Sequence, residues 1–150
     1  MSKINLTDAK AELYAQECAA LKELIKHGWP KGWPEEGQLI GHRWAKYPGR
    51  ILVLRHRDFD MIEGVMLGKG PEYMVNAVLK MHYPLPCWST VGMLIEWLGD
   101  DLKSINFYLH DLLKYQVVLY STKGRIGSLG ETLILALCRA VESKMKVEAK

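Results

Sequence analysis

The chain has 150 residues, enough for one domain that buries its own core without cross-links. Hydrophobic residues make up 49% and charged residues 25%, ordinary globular usage that excludes a disordered tail. The net charge of +3 falls short of the clustered excess of a dedicated nucleic-acid binder, while permitting an acidic partner.

The first predicted element is an amphipathic helix with Thr7 as its N-cap. Tyr14, Cys18, Leu21 and Ile25 recur at helical spacing, Leu13 and Leu24 lie beside them, and Gly28 supplies the stop. Residues 29–37 read Trp-Pro-Lys-Gly-Trp-Pro-Glu-Glu-Gly, a loop, because proline lacks the donor and restricts the residue before it. Trp29 and Trp33 either pin this loop to the core or, with Trp44, form a contact surface for a partner.

Residues 50–57 and 61–67 read as strands. Pro71, following Gly68 and Gly70, opens a predicted helix through Met81, and the prolines of 83–86 mark a boundary. After it, Ser89 caps a helix with Val91, Leu94, Ile95 and Leu98 on one face, ended by Gly99. Ile105, Phe107 and Leu109 alternate with polar residues as the inward side of a strand over 105–110. In a second strand over 115–121, Tyr115, Val117 and Leu119 share a face. Gly124, Gly127 and Gly130 mark a loop, and a last helix buries Leu133, Ala136, Leu137, Ala140 and Val141. The pattern predicts an α+β fold, an α/β sandwich in which a small antiparallel sheet is covered by helices. The N-terminal helix and Trp-Pro loop occupy 1–37 and the sandwich 38–150, with 40–82 contributing to a four-stranded sheet.

The run Pro86-Cys87-Trp88-Ser89-Thr90, the helix ending Trp97-Leu98-Gly99, two short strands, and Gly130-Glu131-Thr132-Leu133 with Ala136-Leu137-Cys138-Arg139-Ala140 together resemble the phage ABA (alpha-beta-alpha) sandwich domain. The resemblance spans about residues 84–146. It implies phage or prophage origin and a small accessory role in the host cell cytoplasm, and it carries no catalytic residues over. Residues 50–81 have no counterpart in that family, and the N-terminal helix reads as an addition.

Motifs with chemistry are few. His56-Arg57-Asp58 looks like a kinase catalytic loop, but the other kinase parts are absent. The five histidines show no H-E-x-x-H spacing; His42, His56 and Asp58 could meet only through space. The odd, scattered cysteines Cys18, Cys87 and Cys138 suit a reducing cytosol, and Cys87 reads as an inert thiol with no neighbour to lower its pKa. No apolar run nears the ~20 residues of a membrane span, and residues 1–7 show no signal pattern. A soluble cytoplasmic protein, probed by no membrane and holding no cofactor or metal, is the expectation.

Two stretches suit ligands. In residues 123–130, Lys123, Gly124, Arg125, Gly127 and Ser128 would bring backbone amides and cations to a phosphate at the start of the last helix. Arg43, Arg55 and Arg57 would add charge for a nucleotide, and with the neighbouring aromatics they equally suit nucleic acid. The leading expectation is a non-enzymatic accessory protein that binds a host protein, an inhibitor of host defence being one form. A nucleotide- or phosphate-binding protein and a nucleic-acid-binding protein are the alternatives.

Overall fold

The computed structural model describes residues 6–27, 34–43, 51–68, 73–108, 114–121 and 124–148. The fold is α+β, with two antiparallel sheets and an N-terminal helix. Two compact units divide the chain, one of residues 21–90 and one of residues 1–20 with 91–150. The divisions fall within α1 (Leu6–Lys26) and α2 (Trp88–Leu98). Along α1 the expected stripe is buried at Cys18, Leu21, Leu24 and Ile25. Thr7 stands inside this helix rather than capping it.

Unit 21–90 holds a five-stranded antiparallel sheet: β1 (Leu39–His42), β2 (Ile51–Asp58), β3 (Met61–Met66) and β4 (Met74–Val78) form a meander, and β5 (His82–Pro84) returns beside β1, in the order β4-β3-β2-β1-β5. Ile40, Leu52, Leu54, Ile62 and Leu79 form its core, with Met66, Val75 and Ala77 packed against them. Lys22 of α1 places its ammonium 5.1 Å from the centre of the Tyr83 ring, a cation–π contact. The helix expected over 71–81 is replaced by β4 and a 3-10 turn, Leu79–Met81. Val75 and Ala77 alternate inward along β3's edge, so period two overrides a spacing that also fits a helix. Tyr83 and Pro84, the start of the expected boundary over 83–86, belong to β5. Pro84 is tolerated there because β5 is an edge strand.

The second unit holds the rest of α2, then β6 (Leu102–Phe107), β7 (Tyr115–Ser121), β8 (Gly124–Gly130) and α3 (Leu133–Glu148). Its three strands form a separate sheet in the order β6-β7-β8, so the described strands do not make a single four-stranded sheet. Val117 and Leu119 are buried as expected. Ile105 and Phe107 are not: they are 38% and 52% exposed, because β6 is an edge strand. Phe107 rests instead on the Tyr115 ring, centroids 5.0 Å apart.

From α3, Lys144 donates to the carbonyls of Trp97 and Leu98 at 3.4 and 3.1 Å and pairs with Asp101 at 3.5 Å. A cation thereby satisfies the negative end of α2. At the other end of α3, Thr132 Oγ1 accepts from the Leu135 N–H at 3.2 Å as the N-cap, and donates to Glu17 Oε2 at 3.0 Å.

Leu137 is fully buried in mid-helix. Leu137→Ala should cost about 2–5 kcal/mol through the cavity it leaves. Gly130→Ala should also destabilise, since a Cβ there would lie 2.5 Å from the Ala136 nitrogen, which is backbone and cannot turn aside. Denaturant midpoints equal to wild type in either variant would contradict this packing.

Candidate functional site

The stretch expected as a phosphate-cradling loop is strand β8, paired with β7 from Tyr115↔Gly130 to Ser121↔Gly124. Its amides on that side are committed to the ladder. In the first turn of α3 the Thr132 side chain takes the Leu135 N–H, so that amide is not available to an anion. Gly124 and Ser128 share a face with Val117 and Gly130, and Ser128 is buried. Arg125 and Gly127 lie on the opposite, solvent-facing side. Lys123 falls outside the described residues.

That solvent-facing side has its own polar order. Tyr108 Oη donates to Gln116 Oε1 at 2.9 Å, and Asn106 Nδ2 reaches the same oxygen and Ser104 Oγ, each at 3.4 Å. A Cβ on Gly127 would sit 3.4 Å from Gln116 Nε2, which places Gly127 beside this group. Across β7, Tyr120 pairs with Arg125 and is 47% exposed, while Tyr108 is 40% exposed. The alternation along β7 carried this surface in the sequence, but only the register could show which residues of β8 stand beside it.

Of the other expected ligand residues, Arg43 is used by the fold. Its backbone N–H donates to the Met81 carbonyl at 2.8 Å, and its Nη1 donates to the Lys80 carbonyl at 3.1 Å, so it holds the 3-10 turn. Arg55 and Arg57 are exposed on the outer half of β2, Arg55 as the bulged residue between Leu54 and His56 and Arg57 past it. They and Arg43 belong to unit 21–90, whereas Arg125 belongs to the other unit. Among the described residues no three His, Cys, Asp or Glu side chains gather to hold a metal. His42 instead meets the buried His82 ring edge-on at 5.3 Å.

The β2–β3 turn holds a residue that sequence reasoning passed over. Asp58 pairs with Met61, leaving Phe59 and Asp60 as the turn. Phe59 has φ of 51°, in the left-handed region, and is 89% exposed. Two-residue hairpins give such positions to Gly, Asn or Asp, because a Cβ there crowds the backbone. An aromatic so placed has no packing to offset the strain. Trp29, Trp33 and Trp44, the expected contact aromatics, lie outside the described residues. Trp88 stands 83% exposed at the first position of α2, although helical period alone places it on the buried stripe.

The reading that Cys87 has no neighbour to lower its pKa also needs correction. It occupies the position just before α2, with the Ser89 and Thr90 hydroxyls 3.1 and 3.4 Å from its sulfur. Thr90 spends its proton on the Leu85 carbonyl and accepts from Gln38 Nε2 at 3.3 Å, so Ser89 is the hydroxyl donor left for a thiolate. Partial burial pushes the Cys87 thiol up, but the hydroxyl and the backbone N–H groups of Ser89 and Thr90 outweigh it and hold it below its ordinary value. The signal was Cys-x-Ser-Thr at a helix start. Cys138, by contrast, is buried and pushed far up by desolvation, with the Glu17 and Glu142 charges adding to it.

No family model matches the chain, and no solved structure matches it. The chain is similar to "Uncharacterized protein ORF54" of Ictalurid herpesvirus 1 (strain Auburn), with 27% identity over 75 residues, 48% of this chain and 11% of that protein. It thus spans only about a tenth of the length of this viral relative. Among the described residues no helix is long and apolar enough to cross a membrane.

Under native conditions a thiol-alkylating reagent should label Cys87 well before the buried Cys18 and Cys138. A thiol below its ordinary pKa keeps reacting as pH falls toward neutrality, so Ser89→Ala should move the midpoint of the rate–pH profile upward. Mass-spectrometric rates that are equal for the three cysteines, or an unmoved midpoint, would contradict the geometry.

Proposed function

We propose that the protein is a phage- or prophage-encoded accessory protein that acts by non-covalent binding to a host protein, a component of host defence being the class of partner. The resemblance of residues 84–146 to the phage ABA sandwich domain supports the phage part of this reading. The helix, three strands and helix running from Trp88 to Glu148 suit such a sandwich. The similarity to a herpesvirus protein supports its viral part alone.

The observation that carries the binding part is Phe59. Left-handed backbone costs a non-glycine residue roughly 1–2 kcal/mol, and nothing within the fold repays it for a side chain exposed at 89%. Strain of this kind persists at sites where it serves recognition. A rigid two-residue turn presenting one aromatic ring fits the tryptophan-, tyrosine- or phenylalanine-in-pocket anchoring common to protein interfaces. Met61, 48% exposed next to the turn, widens the apolar contact.

Phe59→Gly separates the two roles a side chain can have here. Relief of strain should raise the melting temperature by about 2–4 °C or leave it unchanged, while capture of the host partner on the tagged protein is lost. Retained capture would overturn the assignment of Phe59 to the contact. A fall in melting temperature of several degrees would show that the ring is packed, and would overturn it equally.

A further inference from the structure

The strands of the three-stranded sheet carry an unusual charge distribution. Residues 102–108, 114–121 and 124–130 include Lys103, Lys114 and Arg125 and not one Asp or Glu. The described carboxylates of this unit sit on α1, α2, α3, the 3-10 turn Gly99–Asp101 and the link at Glu131. Arg139 adds a fourth cation at the sheet's rim, where its guanidinium donates to the Leu129 carbonyl on the outer edge of β8. Solvation alone would intersperse both signs across a surface. A sheet whose described residues carry cations and no carboxylate is open to polyanions.

We infer that the solvent-facing side of this sheet binds single-stranded nucleic acid. Tyr120 and Tyr108 are exposed aromatic rings on the same side of the sheet, and the exposed Gly127 adds no side chain to that side. Aromatic rings on a flat sheet stack unpaired bases, whose π-faces a duplex would hide. Arg125 stands beside Tyr120 in the register, in position to meet the phosphate next to a base stacked there. At the other end, Asn106 and Gln116 supply amide donors and an acceptor beside Tyr108, the groups that read base edges. Tyr108 joins the sheet through its N–H to the Lys114 carbonyl. Six residue steps, from Lys114 to Tyr120, therefore separate the backbones of the two stacking points, roughly 20 Å at ~3.4 Å per residue. The nucleic acid runs along β7 and covers several nucleotides.

This surface belongs to residues 91–150 and is independent of Phe59, so each reading can fail alone. The full chain, titrated into labelled homopolymeric oligo-dT and oligo-rU and followed by fluorescence anisotropy, should bind at low salt. With three phosphates neutralised, the log–log salt slope should be about −2. Tyr120→Ala and Tyr108→Ala should each weaken binding about 5- to 100-fold. Tyr120→Phe should retain it, because a phenyl ring stacks as well, and Arg125→Gln should make the slope shallower by about 0.7. Thermal melts of each variant establish that it is folded. Absence of binding at low salt, alanine variants that bind like wild type, duplex bound as tightly as single strands, or a protein taking this face in place of nucleic acid would overturn the inference.

Discussion

At Gly130 the last residue of β8 meets the first turn of α3 with no room for a side chain, and the surfaces of the C-terminal unit follow from that contact. A helix seated there must lie over the face of the sheet that holds Val117, Leu119 and Ser128. Side chains alternate along a strand, so Tyr120, Arg125 and Gly127 are sent to the other face. A slip of one residue between β7 and β8 would exchange the two sets. The glycine that sequence reading assigns to a flexible phosphate loop thus acts through close approach. It fixes a register, and the register decides which aromatics and cations remain in solvent.

In unit 21–90 the corresponding constraint is the 3-10 turn at Leu79. Gly41 pairs with Ile51 at the start of β2, whereas the Phe59 turn lies at its far end, about 25 Å away in a flat strand at ~3.4 Å per residue. Yet three residues connect these places. The Leu79 N–H donates to the Asp60 carbonyl at 2.7 Å, and the next two carbonyls accept from Arg43. The meander must therefore curl, and the bulge between Leu54 and His56 supplies local twist on the strand that bends. Holding the Asp60 carbonyl in this way fixes one side of the turn that contains Phe59. The strained residue is bounded by a ladder pair before it and a tethered carbonyl after it, which is how an unfavourable conformation is kept without packing of its own.

How much of this was legible in the sequence differs by element. Helices α1, α2 and α3 announce themselves because a 3.6-residue apolar stripe of four or more members has few rival explanations. Strands β2, β3 and β7 follow from β-branched runs. The failures share a cause: short apolar segments satisfy two periods at once. Val75, Ala77 and Val78 fit a helix until β3 is known to lie beside them, and Ile105 and Phe107 look inward until β6 proves to be an edge. For the site, the residue types at 125, 127, 43 and 57 were visible, but their grouping was not. Arg43 is spent on backbone carbonyls and Ser128 is buried, facts set by register and by a curl that no local pattern encodes. Phe59 was hidden for the opposite reason. A turn lacking Gly or Asn gives no turn signal, and its strain is visible only as a backbone angle.

The exposed aromatics are not leftovers from an overfull core. Leu94, Leu98, Val117, Leu119, Leu137 and Val141 are buried almost completely in the C-terminal unit, and Leu52, Leu54 and Ile62 in the other. Sinking Tyr120 or Phe59 would require a different register or a different turn, not a better-filled interior. Their surroundings also differ in kind. Phe59 stands between Asp58 and Asp60, so a polyanion gains nothing by approaching it and an apolar protein pocket loses nothing. Tyr120 stands beside Arg125 on strands whose described residues include no carboxylate, so a phosphate there meets attraction. Local charge, more than the net +3 of the chain, separates the two surfaces by the class of macromolecule proposed for each.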